Sequence, residues 1–436
     1  MKKKIPVTII CFLLIFTILP VKGVKNNTDL LSGGWLEERN GVKILHLSGS
    51  NYEMGFQHGV LLKEEVKQNI RAFLNYANNS NITYEYLLEI WNEMKDYVPQ
   101  VYIDEIQGIA DGAEISFLDI AVANMVITVG DMGCFGISAW KNATVDGKLY
   151  HARSFDLPFN IKDPKTGKYA HENSVIIIRK PDNGFASINP SIAGSMHGGG
   201  GVNDQKIAIG QQVCWSKDYT LHGTPGQFRV QMVLDHSSNI SEAINILINN
   251  KDMGWNFIVS DGKIPIGYAV ETTGNYFYYG THDNPVEGIT PFWNIDNVVR
   301  RTNFFIDKTT ASTQRKNYDP SGFISFIKLV LRTDVFFAVW RSYKVVSEGI
   351  EKNHGLMDLN NTMTMIRDCY SGKTDLLLKL IVTLAKGTSF NRAWNMWVAD
   401  PENGDMVVCF ASRNKIAFEN NVYYFNFYEL LNADPP

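Results

Sequence analysis

An α+β fold, layered into one body, is what this sequence predicts, and three observations carry the prediction. The texture of the chain runs helices first, then strands around a helix, then helices again, then strands. No Pro- or Ser-rich linker and no internal repeat marks a boundary. The chain has 436 residues, 45% of them hydrophobic and 20% charged, enough to fill one large core.

Taken in order, Tyr52–Asn78 reads as a helix, with Met54, Val60, Leu61, Val66, Ile70, Phe73 and Leu74 close to a 3.6-residue period. Tyr84–Tyr97 is a second helix, and Tyr102–Thr128 a third, broken at Gly112-Ala113. Most of the first 130 positions are therefore expected to be helical, with Asp104 and Glu105 as a solvated helix start. Strands are expected from Cys134 to Thr281, punctuated by turns at Asp146-Gly147, Pro181–Gly184, His197–Gly201 and Asp261-Gly262. One amphipathic helix, Thr224–Asn249, interrupts them and is entered through T-P-G-Q. Asn297–Leu380 is helical again, and strands close the chain at 393–398, 405–411 and 421–427.

Composition excludes several classes. The net charge is −4 and no basic block follows the first residues, so nucleic-acid binding has no electrostatic footing. No H-E-x-x-H, C-x₂-C or carboxylate cluster predicts a metal, and no cofactor is expected. Met1–Gly23 reads as a secretory signal, with an uncleaved signal anchor as the alternative: Lys2, Lys3 and Lys4 precede an apolar run from Ile5 to Leu19, short of the roughly 20 residues of a membrane span. No stable membrane span is expected after its removal; Lys328, Arg332 and Asp334 interrupt the apolar region Phe323–Val339. Sequons at Asn26, Asn78, Asn81, Asn142, Asn239 and Asn360 fit a secreted glycoprotein or one in a lysosomal or vacuolar lumen. Of the five cysteines, Cys11 leaves with the signal, and Cys134, Cys214, Cys369 and Cys409 leave either two disulfides or a reactive thiol open.

The segment G-C-F-G-I-S-A-W-K-N-A-T-V-D-G-K-L-Y-H-A-R-S-F-D, Gly133–Asp156, is the one that points to chemistry. A hairpin loop over 142–147 sets Cys134 opposite residue 155, with Asp156 beside it and Arg153 about three residues away. A two-residue turn at Asp146-Gly147 would instead set it opposite Phe159. A guanidinium near a thiol favours the thiolate. Attack of the thiol on the Gly133 carbonyl would give a thioester that water opens, freeing the α-amine of Cys134. An α-amine titrates near 7.7–8 and can serve as base for its own thiol. A Cys–His site of the papain kind, using His222 or His236, has no supporting C-G-S-C-W motif. His58 reads as a satisfied polar group, and the glycines after His197 as a turn near the site rather than a phosphate cradle.

Further motifs extend the pattern: G-F-Q-H-G (Gly55–Gly59), E-I-Q-G-I-A-D-G-A-E-I-S-F-L-D-I (Glu105–Ile120), R-S-F-D (Arg153–Asp156), G-G-V-N (Gly200–Asn203), S-E-A-I (Ser241–Ile244), W-N-F-I-V-S-D-G (Trp255–Gly262) and A-V-E (Ala269–Glu271). In order and spacing, from Gly41 to Ala411, the chain resembles the acyl-coenzyme A:6-aminopenicillanate acyltransferase-like branch of the N-terminal-nucleophile hydrolases. Bile salt hydrolases, penicillin V acylases and acid ceramidases are relatives of that branch. The resemblance implies an αββα sandwich, two sheets face to face with helices outside. It implies cleavage between Gly133 and Cys134 into a helical fragment, 24–133, and a larger one, 134–436, that stay associated. Cys134 would be the nucleophile, Arg153 and Asp156 would hold its amine and thiol, and an asparagine would complete the oxyanion hole.

Asn294 in P-F-W-N is the match for that asparagine, with Asn297 behind it, although relatives often show T-N-H there. Gln212 in G-Q-Q stands where relatives often carry a second asparagine, Asn203 ends G-G-V-N, and Arg229 is a candidate contact for a substrate carboxylate or a salt-bridge residue. The expected activity is hydrolysis or acyl transfer on the amide of a small N-acyl or lipid substrate. The alternatives are an ester hydrolase like phospholipase B-like relatives, and an inactive lipid-binding protein.

Overall fold

The computed structural model describes residues 27–129, 133–196, 198–289, 292–314, 335–373 and 391–435. The signal segment Met1–Gly23, Cys11, Asn26, His197 and much of the Phe323–Val339 region lie outside the described residues. Among those described, a nine-stranded and a six-stranded sheet stack face to face. The first runs β1 (Trp35–Arg39), β2 (Val42–Gly49), β5 (Ser174–Pro181), β6 (Ser187–Ile192), β7 (Gly200–Asn203), β8 (Ile207–Val213), β9 (Trp255–Asp261), β10 (Ile266–Thr272), β11 (Phe277–Gly280) in spatial order. The second runs β12 (Val298–Arg301), β3 (Gly133–Lys141), β4 (Gly147–Pro158), β13 (Asn391–Asp400), β14 (Asp405–Phe410), β15 (Tyr423–Asn426). All pairings are antiparallel except β2 with β5.

Alternation along the strands builds four layers. Ile44, Ile176, Ile178, Ile188, Val202 and Ala208 of the first sheet meet Trp397, Ala399, Met406 and Val408 of the second. Their neighbours Leu45, Leu47, Val175, Ile177, Ile207 and Ile209 point the other way. There they meet helices α2 (Asn51–Leu61), α3 (Lys63–Asn79), α4 (Tyr84–Met94), α5 (Gln100–Ala113), α6 (Phe117–Val129), α7 (Gly226–His236) and α8 (Ile240–Ile248). On the far face, Phe135, Ile137, Met396 and Val407 pack under α10 (Val335–Lys352) and α11 (Leu359–Tyr370). Short helices α1 (Asn27–Leu31), α9 (Lys308–Ser312) and α12 (Phe427–Leu431) are also found among the described residues. The expected α+β sandwich of two sheets between helices is the architecture found.

Several local expectations are corrected. The first 130 positions hold a hairpin as well as helices: Asn40-Gly41, both at positive φ, turn β1 into β2. The Thr224–Asn249 helix is two helices, because Asn239 caps α8 through the Glu242 N–H and ends the run. The Tyr52–Asn78 helix is likewise split at Leu62. Glu105 is not solvated. It is fully buried and ion-paired with Arg179 of β5, and its Oε2 accepts from Asn51 Nδ2 at 2.9 Å. The sequon asparagines Asn78, Asn81, Asn142 and Asn360 are exposed.

Helices α2 and α5 meet almost backbone to backbone through Gly55, Gly59, Gly108 and Gly112. A Cβ on Gly108 would fall on the Tyr52 carbonyl, and one on Gly112 on that of Phe56. Since a main-chain carbonyl cannot step aside, Gly108→Ala is expected to destabilise the fold by about 1–3 kcal/mol. A thermal melt checks this; an unchanged midpoint would show that the helices separate freely.

Candidate active site

Cys134 heads β3, and β4 returns antiparallel beside it. The pairing sets Cys134 opposite Phe155, Gly136 opposite Arg153 and Gly133 opposite Asp156, so the longer loop is the one adopted. A bulge near Trp140 and the turn at Gly147, φ +78°, fix that register. Opposite residues share a face, so Cys134, Gly136, Arg153 and Phe155 look toward the first sheet.

Arg153 is fully buried. Its Nη2 lies 3.9 Å from Cys134 Sγ and donates to Gln211 O at 2.9 Å, while Nη1 donates to Gly198 O at 3.2 Å. Its guanidinium also sits 5.0 Å from the centroid of the Phe155 ring. Glycines make room for it. A Cβ on Gly199 would fall 2.5 Å from Nη2, and one on Gly210 2.7 Å from Cδ. The glycine run after His197 is therefore the start of β7 wrapped around this arginine.

The thiol does not start ionised. Burial pushes the Cys134 thiol up to about 11, with Arg153 pulling in the opposite direction and losing. Arg153 thus favours the thiolate, as expected, but its pull is smaller than the opposing effect of burial. Burial likewise pushes the Asp156 carboxyl up to about 7, against the Ser154 hydroxyl that hydrogen-bonds it and the Arg153 and Arg392 guanidiniums.

That shift has a sign. A carboxyl whose folded value lies above its ordinary 3.8 costs nothing below that value and weakens the fold as pH climbs toward 7. The loss is on the order of 4 kcal/mol at about 1.4 kcal/mol per unit. In an uncut Cys134→Ala chain, adding Asp156→Asn is expected to raise stability at pH 7.5 relative to pH 4.5. Denaturant titration at both pH values measures it, and parallel curves would show that Asp156 is ionised in the folded chain.

Two residues that the sequence reading did not single out join this cluster. Asn303, just after β12, accepts the Cys134 N–H on Oδ1 at 2.8 Å, and its Nδ2 donates to Val213 O at 2.9 Å. Arg392, on β13, lies close enough to Asp156 to lower its carboxyl and is lowered in turn by burial. The signal for Asn303 was present: Thr302-Asn303 is the first two-thirds of the T-N-H pattern, followed here by Phe304. Arg392 carries no comparable sequence signal.

Other candidates fall elsewhere. Asn294 is exposed and packs beside Gly288, and Asn297 bonds to Asn142; neither is among the partners of Cys134. Asn203 is a turn residue whose Nδ2 donates to Leu234 O and Ser237 O while Oδ1 accepts from Ile207 N–H. Arg229 is a salt-bridge residue, fully buried against Asp252 at 2.6 Å and donating to Leu247 O and Thr224 O. Its charge is met by the Asp252 carboxylate inside the fold, the salt-bridge role of the two expected for it. Gln212 faces Gly136 across the gap between the sheets, 2.6 Å from where a Cβ would sit, and its side-chain amide meets no hydrogen-bond partner among the described residues.

His58 accepts from Gly194 N–H, and burial holds it neutral, down to about 4. His222 pairs with Glu93 and stacks on Tyr97, and His236 is exposed, so no histidine contacts Cys134 among the described residues. All four described cysteines are free thiols. Among the described residues, no group of His, Cys, Asp and Glu gathers as a metal site. No described helix is long and apolar enough to cross a membrane.

No family model matches the chain. Over 258 residues it is 27% identical to an uncharacterized protein of Archaeoglobus fulgidus, covering 51% of this chain and 42% of that one. It is 27% identical over 243 residues to protein dcd1B of Dictyostelium discoideum, covering 49% and 46%. The chain thus spans about half the length of these curated relatives. A shorter stretch of 96 residues is 36% identical to the beta-alanyl-dopamine/carcinine hydrolase of Drosophila melanogaster, covering 20% and 24%. Among solved structures, a conjugated bile acid hydrolase of Clostridium perfringens overlaps 68% of this chain and 93% of its own, with a TM-score of 0.41 and 12% identity. Penicillin V acylase of Agrobacterium tumefaciens overlaps 68% and 87%, with a TM-score of 0.38 and 14% identity.

Proposed function

We propose that this chain is a cysteine amidohydrolase or acyltransferase that makes its own nucleophile by cutting before Cys134. One observation carries the reading: a glycine–cysteine pair heads a strand at which Arg153 reaches the thiol and Asn303 holds the Cys134 N–H. The stretch shared with the Drosophila carcinine hydrolase adds weight to an amide as the bond attacked.

In the first step the Cys134 sulfur attacks the Gly133 carbonyl carbon. The C–N bond breaks, the nitrogen takes the thiol proton, and water opens the thioester, leaving a Gly133 carboxylate and restoring the thiol. The freed α-amine then lies where Asn303 Oδ1 already holds its nitrogen. With the thiol pushed up by burial, a base is required, and an amine near 7.7–8 supplies it. The thiolate attacks the substrate's acyl carbonyl, the leaving amine takes the proton, and water or a second amine accepts the acyl group.

On this reading Arg153 balances the charge on sulfur, and Asp156, opposite Gly133 and within electrostatic reach of Cys134 and Arg392, sits beside the cut. The two pieces stay together because the cut leaves the contacts between them untouched. Glu105 pairs with Arg179, Tyr102 donates to Asp235, Arg71 pairs with Asp163, and β2 lies along β5. Entry to the secretory route through Met1–Gly23 belongs to the same proposal. A panel of N-acyl amides and matched esters tests the substrate class: amides are expected to turn over faster, and exclusive turnover of esters would overturn the assignment.

A further inference from the structure

We infer that Asn256 is a positioning residue for Asn303: one side-chain nitrogen holds both main-chain carbonyls that flank Asn303 and so sets where its side chain meets Cys134. The inference rests on the reading of Cys134 given above. Asn256 sits on β9, fully buried, in the W-N-F-I-V-S-D-G strand. Its Nδ2 donates to Thr302 O at 2.9 Å and to Phe304 O at 2.8 Å.

The clamped residues lie just past the end of β12 and belong to no strand ladder, so side chains must fix them. On one side Arg301 is locked between Glu271 at 2.9 Å and Glu287 at 2.6 Å. On the other, the Glu271 carboxylate accepts from Ile306 N–H at 2.9 Å and Asp307 N–H at 3.2 Å. Asn256 supplies the hold in the middle. Asn303 Nδ2 is then tied to Val213 O, which leaves Oδ1 aimed at Cys134 N–H.

Removing the Asn256 nitrogen takes one donor from each of two buried carbonyls, Thr302 O keeping only the longer contact to the Cys214 thiol at 3.9 Å among its side-chain partners, and so loosens the hold on the segment. A displacement of about 1 Å at a catalytic group costs on the order of 100-fold in rate. Asn256 touches no reacting atom, so the loss falls on kcat rather than KM.

The experiment uses the full chain with Asn256→Ala and Asn256→Asp, in two readouts. In the uncut Cys134→Ala background, amide hydrogen exchange at residue 134 is expected to speed up at least about tenfold in either variant, with the amides of Ile137 and Ala139 unchanged. In the processed parent, Asn256→Ala is expected to lower kcat on an N-acyl amide about 100-fold with KM within about twofold. Asn256→Asp carries one O–H donor when protonated, so its deficit relative to the parent should be smaller at pH 5 than at pH 8. The exchange readout does not depend on turnover; a parent that neither cleaves nor hydrolyses would sink the reading of Cys134, while residue 134 still decides the clamp. Unchanged exchange at residue 134, or protection lost uniformly along β3, would overturn the inference. So would a rise in KM at constant kcat.

Discussion

A Cys134→Ala chain is expected to run as one polypeptide on a denaturing gel and to hydrolyse no N-acyl amide, while the parent separates into residues 24–133 and 134–436. The same sulfur is asked to do two jobs. It opens the peptide bond that precedes it, and it later carries the acyl group. None of the other described thiols follows Gly133: the Cys214 thiol lies near Thr302 O, within electrostatic reach of Cys134, Cys369 beside Val345 O and Met365, and Cys409 under the helices of the outer face. Loss of a catalytic nucleophile removes about 10⁴-fold or more of the rate, since the remaining groups bind but cannot form the covalent intermediate. The gel and an initial-rate assay on one preparation check both halves. An alanine chain that still splits at this point would mean that another agent makes the cut.

Asn303→Ala is expected to lower kcat by about 10²–10³-fold, whereas Asn294→Ala should retain nearly the parental rate. The contrast follows from geometry. Asn303 holds the nitrogen of Cys134 at 2.8 Å, and that nitrogen becomes the amine that must take the thiol's proton. With alanine there the amine can rotate away from the sulfur, and a preorganised proton acceptor becomes a mobile one. Asn294 is exposed beside Gly288 and has no such contact. Steady-state kinetics on the two variants decides it, and a near-parental rate in Asn303→Ala beside a large loss in Asn294→Ala would return the role to Asn294.

The pair Cys134 and Arg153 was legible because hairpin register is local. A loop spanning 142–147 determines which residues face each other, and a single-residue slip would have reversed every side chain. Asn303 was harder to find. It lies 169 positions from Cys134 and arrives there only because β12 pairs with β3, Val298 against Ala139 through Arg301 against Gly136. No window of sequence contains that pairing. The third letter of its motif is Phe304 in place of histidine, which weakens the local signal.

Glu105 shows a different limit. Charged residues at a helix start are usually solvated, and only the approach of Arg179 from a strand far along the chain makes burial tolerable. The β1–β2 hairpin, by contrast, was readable in principle. Asn-Gly between alternating residues is a strong turn signal, and it was overshadowed by the helical texture on its C-terminal side.

The most direct test is Edman sequencing of the larger piece of the purified parent. The account predicts Cys-Phe-Gly-Ile-Ser, the sequence that begins at residue 134. A different first residue, or an uncut parent that nonetheless turns over amide, would contradict it.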